Sequence, residues 1–261
     1  MLSVAILAKN ESKNIVRCLK SVKFADEILV ILDRSNDETE AICRSLGARI
    51  IKASFDNSFS RRRNLAMIRS RGNWILFIDA DEEVTPQLSL EVRRVEGPTY
   101  EQKFTCFTIR RRDFFWGQEL KYGEIRKVYR RGLIRLVKKN SGKWIGNVHE
   151  EFVPKGRVGV LRSWINHYPH PTIVDFLENV NLYSSIRAAE LHEAKKRTNL
   201  FEIILFPLGK FLMTYLILQG FRDGSAGFAY SFMMSFHSFL VRAKLYLLSI
   251  SSEKSNFTVE S

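Results

Sequence analysis

The 261-residue sequence predicts an α/β fold: a mainly parallel sheet with helices on both faces, followed by a helical, apolar C-terminal region. Three observations predict it. Short apolar runs of strand length alternate with segments of helical period through the first 95 residues. Those runs end in polar or acidic residues. Beyond residue 170 the pattern turns helical and strongly apolar.

The run Leu2-Ser-Val-Ala-Ile-Leu-Ala8 suits a buried parallel strand. Asn10-Glu-Ser-Lys13 then opens a helix, with Ile15, Val16, Leu19 and Val22 at helical spacing. Glu27-Ile-Leu-Val-Ile-Leu-Asp33 is a second strand that ends in an acid, and residues 37–46 form a second helix stopped by Gly47. A third, shorter strand is Ala48-Arg-Ile-Ile51. A polar loop over 54–58 leads into an Arg-rich helix near 60–70. Asn73-Trp-Ile-Leu-Phe-Ile78 is the fourth strand, followed at once by Asp79-Ala-Asp-Glu-Glu83. Pro86, at a favoured first helical position, starts a helix to about Val95. Strands alternating with helices imply a parallel sheet covered on both faces. Ligands of such sheets lie beyond the carboxyl ends of the strands. Lys9-Asn10-Glu11, Asp33 and Asp79-Ala80-Asp81 all fall there.

Gly97-Pro98 marks a hinge. Beyond it, residues 104–110, 127–130 and 133–137 carry β-like patterns, and residues 172–193 turn helical after His167-Tyr-Pro-His-Pro171. The expected organisation is one α/β domain over 1–170, with halves 1–96 and 97–170, then a helical region over 171–250 and a tail over 251–261. Residues 201–220 are interrupted by Glu202, Pro207 and Lys210, which argues against a membrane-spanning helix. Residues 224–241 hold no Asp, Glu, Lys or Arg and lie near the lower length limit for a span. Their Gly, Ser and His content and charged flanks fit a membrane-surface or re-entrant element. A pair of buried core helices is the other reading.

Hydrophobic content of 45% and aromatic content of 12% describe a folded chain. Three cysteines, Cys18, Cys43 and Cys106, are too few and too scattered for a disulfide framework or a zinc site. The opening apolar run has no basic lead and no small-residue cleavage site, so a cytoplasmic chain is expected. Of the net charge of +13, residues 101–145 carry +9, from 13 basic and 4 acidic side chains. Such a segment attracts polyanions: nucleic acid, anionic lipid or phosphorylated saccharide.

Asp79 and Asp81 stand two apart directly after a strand, so in extended geometry both carboxylates face one side. Mg²⁺ or Mn²⁺ bound with a diphosphate suits such a pair, because Mg²⁺ favours one or two carboxylates plus substrate phosphates. Asp33 is placed to accept from a ribose or a base, or to cap the turn at Ser35-Asn36-Asp37. Asn10 and Glu11 suit a pyrimidine edge, with Asn10 as a helix N-cap the alternative. Arg61-Arg62-Arg63 offers forked donors for phosphate, of which at most two point one way on a helix.

Four motifs in order carry a resemblance: Ile6-Leu-Ala-Lys-Asn-Glu11, Asp26-Glu-Ile-Leu-Val-Ile-Leu-Asp33, Arg63-Asn64 and Phe77-Ile-Asp-Ala-Asp-Glu82. With them the chain resembles the family 2 glycosyltransferases of the GT-A (Rossmann-like) fold. The second half is similar to the short bacterial branch that includes lipopolysaccharide inner-core β-glucosyltransferases, through Gly146-Asn-Val-His-Glu150, Asn166-His-Tyr168, Asn181-Leu-Tyr-Ser184 and Gly220-Phe-Arg-Asp-Gly-Ser-Ala-Gly-Phe228. One departure is Arg34-Ser35-Asn36-Asp37, where the family has Gly-Ser-Thr-Asp.

The resemblance implies a metal-dependent, single-displacement hexosyl transfer from a nucleotide-sugar donor, inverting the anomeric centre. It implies donor contacts from Ala8, Asn10, Glu11, Asp33, Arg63, Asp79 and Ala80, a divalent metal (Mg²⁺ or Mn²⁺) at Asp81 and Asp79 with His149, and Glu150 as general base. Glu151 and then Asp113 are the weaker candidates for that base. The expected acceptor is a lipopolysaccharide-core or other lipid-linked, anionic saccharide. The enzyme is then peripheral on the inner face of the cell membrane, and nucleic acid is not an expected partner. A polyprenyl-phosphate or protein acceptor is the alternative. A sugar nucleotidyltransferase would be expected to begin with a Gly-rich phosphate loop, and none follows Ala8.

Overall fold

A computed structural model describes residues 1–55, 58–97, 103–146, 150–170 and 172–257, with side chains to residue 251. The chain forms two compact units, Met1–Arg112 with Lys127–Tyr168, and Asp113–Arg126 with Pro169–Ser261.

The first unit is built on β1 (Leu2–Ala8), all seven residues of which are buried. β1 pairs in parallel with β2 (Glu27–Leu32) on one side and β4 (Trp74–Asp79) on the other, and β3 (Arg49–Lys52) continues the parallel set beyond β2. Alternation along the strand sorts its side chains onto two faces. Leu2, Val4, Ile6 and Ala8 join a core with Ile15, Cys18 and Leu19 of α1 (Ile15–Ser21), Cys43 of α2 (Thr39–Ser45), and Leu88, Val92 and Val95 of α4 (Pro86–Val95). Ala5 and Leu7 join a second core with Ala66 and Met67 of α3 (Phe59–Arg69), Trp144 of β9 (Gly142–Ile145) and Phe152 of β10 (Glu151–Pro154). Burial contributes about 1.5–3 kcal/mol per large aliphatic side chain, so this two-sided packing anchors the strand ends that carry the polar clusters. All three cysteines are buried and free.

Capping follows the sequence. Ser58 accepts from Arg61 N at the start of α3, and Thr85 accepts from Leu88 N ahead of Pro86 at the start of α4. α1 begins later than its apolar pattern implied. Asn10 takes a left-handed conformation (φ 55°), which asparagine tolerates better than most residues, and the turn closes on the Glu11 carbonyl, which accepts from Asn14 N and Ile15 N. Asn10 is therefore no helix N-cap.

Beyond β4 the sheet turns antiparallel. β8 (Leu133–Lys138) pairs with β4 and β6 (Cys106–Phe115) pairs with β8, then come β11 (Val158–His167) and the short β5 (Glu82–Val84). β5 and β11 are antiparallel, with His167 opposite Glu82. The sequence pattern did not mark β5, β10 or β11. Residues 127–130, expected to be extended, lie instead in α5 (Arg126–Arg131). Gly132 (φ 72°) closes that helix by donating its N–H to the Val128 carbonyl, a left-handed cap that outweighs the β propensity of Val128 and Tyr129.

In the second unit β7 (Gln118–Leu120) forms a hairpin with the end of β6. A capping box of Thr172 and Asp175 opens α6 (Ile173–Glu193). α7 (Leu200–Leu212) continues as a π-turn over Met213–Ile217, and α8 (Gly224–Phe257) follows. Both α6 and α7 pack on α8. A Cβ on Gly227 would lie 2.0 Å from the Gly220 carbonyl oxygen, so the turn into α8 needs its glycines for close approach. Leu200–Ile217 is long and apolar enough to cross a membrane, with mean hydropathy 1.7, and only 6% of it is buried. That is a statement of length and composition, which the segment meets with Glu202, Pro207 and Lys210 in it, and core burial, one of the two readings of the apolar region, does not hold for this helix.

Candidate active site

The polar clusters expected at the carboxyl ends of β1, β2 and β4 lie side by side, because β1 is flanked by the other two. Four hydrogen bonds join the loops after β1 and β2. Ser35 Oγ accepts from Asn10 N (3.0 Å), Asn10 Oδ1 from Asn36 N (2.8 Å), Thr39 Oγ1 from Glu11 N (2.8 Å) and Asp37 Oδ2 from Ser12 N (3.0 Å). Arg34, where the resemblance leads one to expect glycine, has φ 38°, so the left-handed turn survives the substitution.

Asp33 is fully buried and its N–H donates to the Ala8 carbonyl (3.0 Å). Its carboxylate lies among Arg62 Nη2 (2.6 Å), Arg34 Nε (3.3 Å) and Lys9 Nζ (3.9 Å). Glu11 is half-buried. Burial pushes its carboxyl up to about 7, with Asp81 and Asp79 adding to the rise against a hydrogen bond from Asn14.

Asp79 ends β4 in an ionic cluster in which Arg63, Arg135 and Glu82 are buried and its own side chain is 30% exposed. Arg63 Nη2 donates to its Oδ1 (2.7 Å) and Arg135 Nη2 to its Oδ2 (2.7 Å). Its N–H donates to Glu82 Oε2 (2.9 Å), and Glu82 Oε1 accepts from Arg135 (2.8 Å) and Arg111 (3.4 Å). Arg63 Nε donates to Glu150 Oε1 (2.8 Å), and the Arg63 guanidinium lies 4.8 Å from the Trp144 ring centroid. Three carboxylates thus meet three guanidinium groups. Burial works to raise the Asp79 carboxyl, but Arg135 and Arg63 hold it well below the usual carboxylate range. Glu82 is 0% exposed; burial keeps its carboxyl raised even though Arg135 pulls it down. Arg63 Nη1 is buried and has no hydrogen-bond partner among the described residues.

Asp81, half-buried, meets His167 Nε2 through Oδ2 at 3.2 Å. His167 holds the Asp81 carboxyl below its usual range against the effect of burial. Pairing of β5 with β11 delivers this histidine, and Tyr168 N donates to the Asp81 carbonyl (3.0 Å).

Of the Arg-rich helix, Arg62 and Arg63 point inward and Arg61 outward, which fits the limit set by helical geometry. Asn64 exchanges two hydrogen bonds with the Trp144 backbone (2.9 and 3.0 Å) and so positions β9. Ala8 and Ala80 are buried core residues. Glu151 is exposed on β10, and Asp113 is buried in the second unit. His149 lies outside the described residues. Sequence reasoning gave no role to Arg135, Arg111, Glu82 or His167. Arg135 and Arg111 were counted within the basic segment, where charge alone does not separate a buried guanidinium from a surface one.

A sequence profile described as "Glycosyl transferase family 2" matches residues 3–142. The chain belongs to glycosyl transferase family 2. The fold is the family's GT-A arrangement. Among its relatives is an uncharacterised glycosyltransferase of Rickettsia typhi, 27% identical over 264 aligned positions that cover 96% of this chain and 88% of that one. Another is the lipopolysaccharide core biosynthesis glycosyltransferase LpsC of Rhizobium meliloti, 26% identical, covering 94% and 92%. Similar solved structures include S. aureus TarS 1–349 in complex with UDP-GlcNAc (14% identity, TM-score 0.47, covering 97% and 92%). Glucosyl-3-phosphoglycerate synthase from Mycobacterium tuberculosis, in complex with Mn²⁺, UDP and its product, gives 22% identity and a TM-score of 0.36, covering 43% of this chain and 44% of that one.

A divalent metal can be tested against the residues present. Both Asp79 oxygens are engaged by guanidinium groups, whereas Asp81 and His167 set a carboxylate oxygen beside an imidazole nitrogen. Among the described residues no three His, Cys, Asp or Glu side chains converge on one point. Two protein ligands with a substrate diphosphate fit Mg²⁺ or Mn²⁺, which take few protein ligands alongside phosphate oxygens.

Proposed function

We propose that this chain transfers a hexosyl group from a nucleoside-diphosphate sugar to a saccharide acceptor, with inversion at the anomeric carbon. The observation that carries this reading is the row of acids at the carboxyl ends of β2 and β4: Asp33 beside Arg62 and Lys9, Asp79 clamped by two arginines, and Asp81 facing His167.

Asp33, with Glu11 and Asn10, receives the nucleoside. Asn10 Oδ1 is spent on Asn36 N, which leaves its amide protons for the base. Asp79, fixed in the ionised state, accepts from ribose or sugar hydroxyls, and the backbone at Ala8 and Ala80 lines the same path. Asp81 with His167 would hold the divalent metal, and His149 is a further candidate ligand. When bound, the metal neutralises charge that develops on the departing diphosphate. The buried Nη1 of Arg63 supplies a second positive group. Glu150, held by Arg63, takes the proton of the acceptor hydroxyl as its oxygen bonds to the anomeric carbon and the bond to the diphosphate breaks. The LpsC relative supports a lipopolysaccharide-core acceptor, and the +9 segment supports an anionic one on the inner face of the cell membrane.

A thermal-shift screen of nucleoside diphosphates and their sugars, with and without Mn²⁺, tests the reading, since a ligand of the native state raises the melting temperature by mass action. At least one nucleoside diphosphate is expected to raise it, and to raise it more with Mn²⁺. No shift from any of them at millimolar concentration contradicts the reading.

A further inference from the structure

In the second unit, α7 is apolar over most of its circumference. Leu200, Phe201, Ile204, Leu205 and Leu208 are each more than half exposed, and Phe206 is 46% exposed. At about 100° per residue Leu200, Ile204, Leu208, Phe201 and Leu205 fall within an arc of about 140°, and Phe206 stands about 100° beyond it, past Glu202. Ile203 is buried, and Lys210 pairs with Glu124 (2.7 Å) on the remaining face. A helix that docks on one protein surface needs a stripe little wider than about 100°. The exposed apolar face of α7 is wider than that, with Glu202 and Lys210 on the opposite side, which fits a helix lying in a membrane interface.

Exposed Lys195 and Lys196 immediately precede this helix. Basic residues beside an apolar helix are attracted by anionic headgroups. The polar contacts of the helix decide how it meets the bilayer. Asp223, buried in the turn between α7 and α8, accepts from Lys121 N (2.9 Å) and Tyr122 N (2.8 Å). Glu124, beside them in sequence, takes Lys210 from partway along α7. A helix crossing the bilayer would draw these ionic and backbone contacts through hydrocarbon. A helix lying in the interface leaves them on its protein side.

We propose that α7 lies in the plane of an anionic lipid bilayer, with its Phe201–Leu205–Leu208 side among the acyl chains and Lys195 and Lys196 at the headgroups. The proposal rests on the second unit alone and is independent of the donor chemistry.

The test uses the full chain in co-sedimentation with phosphatidylcholine vesicles, with and without one quarter phosphatidylglycerol. Wild type is expected to partition onto the anionic vesicles, more weakly as salt rises. Phe201→Glu with Leu205→Glu is expected to lower that partitioning at least tenfold, and Lys195→Gln with Lys196→Gln to lower it several-fold on anionic vesicles only. The native thiols are buried, so environment-sensitive labels on Phe201→Cys, Leu205→Cys and Leu212→Cys report depth through brominated-lipid quenching. Equal, shallow depths are expected. Wild-type partitioning by the double glutamate variant, a monotonic gradient of depth from 201 to 212, or a stable oligomer that shields the labels without vesicles would each overturn the proposal. Nucleoside-diphosphate thermal shifts measured on the same variants without vesicles separate a failure here from a failure of the sugar-transfer reading.

Discussion

Arg135→Met removes the guanidinium of the buried Arg135–Glu82 pair while keeping an unbranched stem in its place. Two charge-assisted bonds go with it, to Asp79 Oδ2 at 2.7 Å and to Glu82 Oε1 at 2.8 Å. Asp79 keeps Arg63, and Glu82 keeps Arg111 at 3.4 Å and the Asp79 N–H, so the buried group is left one positive charge short. Breaking a buried pair by removing one partner costs about 3–5 kcal/mol, and that is the loss expected at pH 8. The loss must shrink in acid. Burial already raises the Glu82 carboxyl, and without Arg135 it rises further, so the folded variant keeps a proton that the unfolded chain releases. Its stability then falls as pH climbs, by at most about 1.4 kcal/mol per pH unit for one proton. Asp79 acts in the same sense. Its depressed carboxyl stabilises the wild type above the unfolded value and loses that effect in acid, and the variant has less of it to lose. Urea unfolding at pH 5 and pH 8, followed by fluorescence of Trp74, Trp144 and Trp164 in the first unit, measures the Glu82 share, since the Asp79 share is lost only below its unfolded value of about 3.9. A deficit under about 1 kcal/mol at pH 8, or one of equal size at both pH values, would refute a buried pair and indicate a solvated one.

Glu150→Gln keeps shape and hydrogen bonding but removes the base; turnover at saturation is expected to fall by about two to four orders of magnitude with donor affinity little changed, and weaker donor binding with intact turnover would move Glu150 to the donor site. Glu11→Gln removes a carboxyl that the fold keeps protonated up to about 7. Wild-type stability should decline as pH rises from 4.5 to 7, and the variant should lack that share of the decline in matched denaturant titrations. Arg34→Gly relieves a left-handed backbone (φ 38°) and removes the contact of the exposed Arg34 guanidinium with buried Asp33; stability is expected to change by no more than about 1 kcal/mol, and a larger loss would show that the Arg34 side chain holds the loop.

The first 96 residues were legible because their signals are local. Apolar runs of strand length ending in Asp33 and Asp79, Pro86 at the start of α4 and an Arg-rich helix with two residues facing inward can each be read within ten or so residues. What was not legible depends on pairing between distant segments. His167 meets Asp81 only because β11 runs antiparallel to β5, and Arg135 reaches Asp79 only because β8 runs antiparallel to β4. No periodicity announces either partner. β5 is three residues long and carries two glutamates, a composition that reads as a turn. Helix α5 carries a strand-like pattern because Val128 and Tyr129 favour extended structure, while the deciding residue, Gly132, lies beyond the segment's end. In the second unit composition pointed to residues 224–241, while α7 is also left largely uncovered, which a tally of charges does not show.

The central claim is that Asp81 serves a metal that a nucleoside diphosphate completes, and calorimetry tests it most directly. The diphosphate chosen by the thermal screen is titrated into wild type and Asp81→Asn, each with millimolar Mn²⁺ and again with EDTA. Wild type is expected to bind at least about tenfold more tightly with Mn²⁺, a difference of about 1.4 kcal/mol. Asp81→Asn is expected to bind equally in both conditions, near the EDTA affinity of wild type, because Asp33 and its loop are untouched. An Asp81→Asn protein that keeps the full Mn²⁺ enhancement would contradict the assignment.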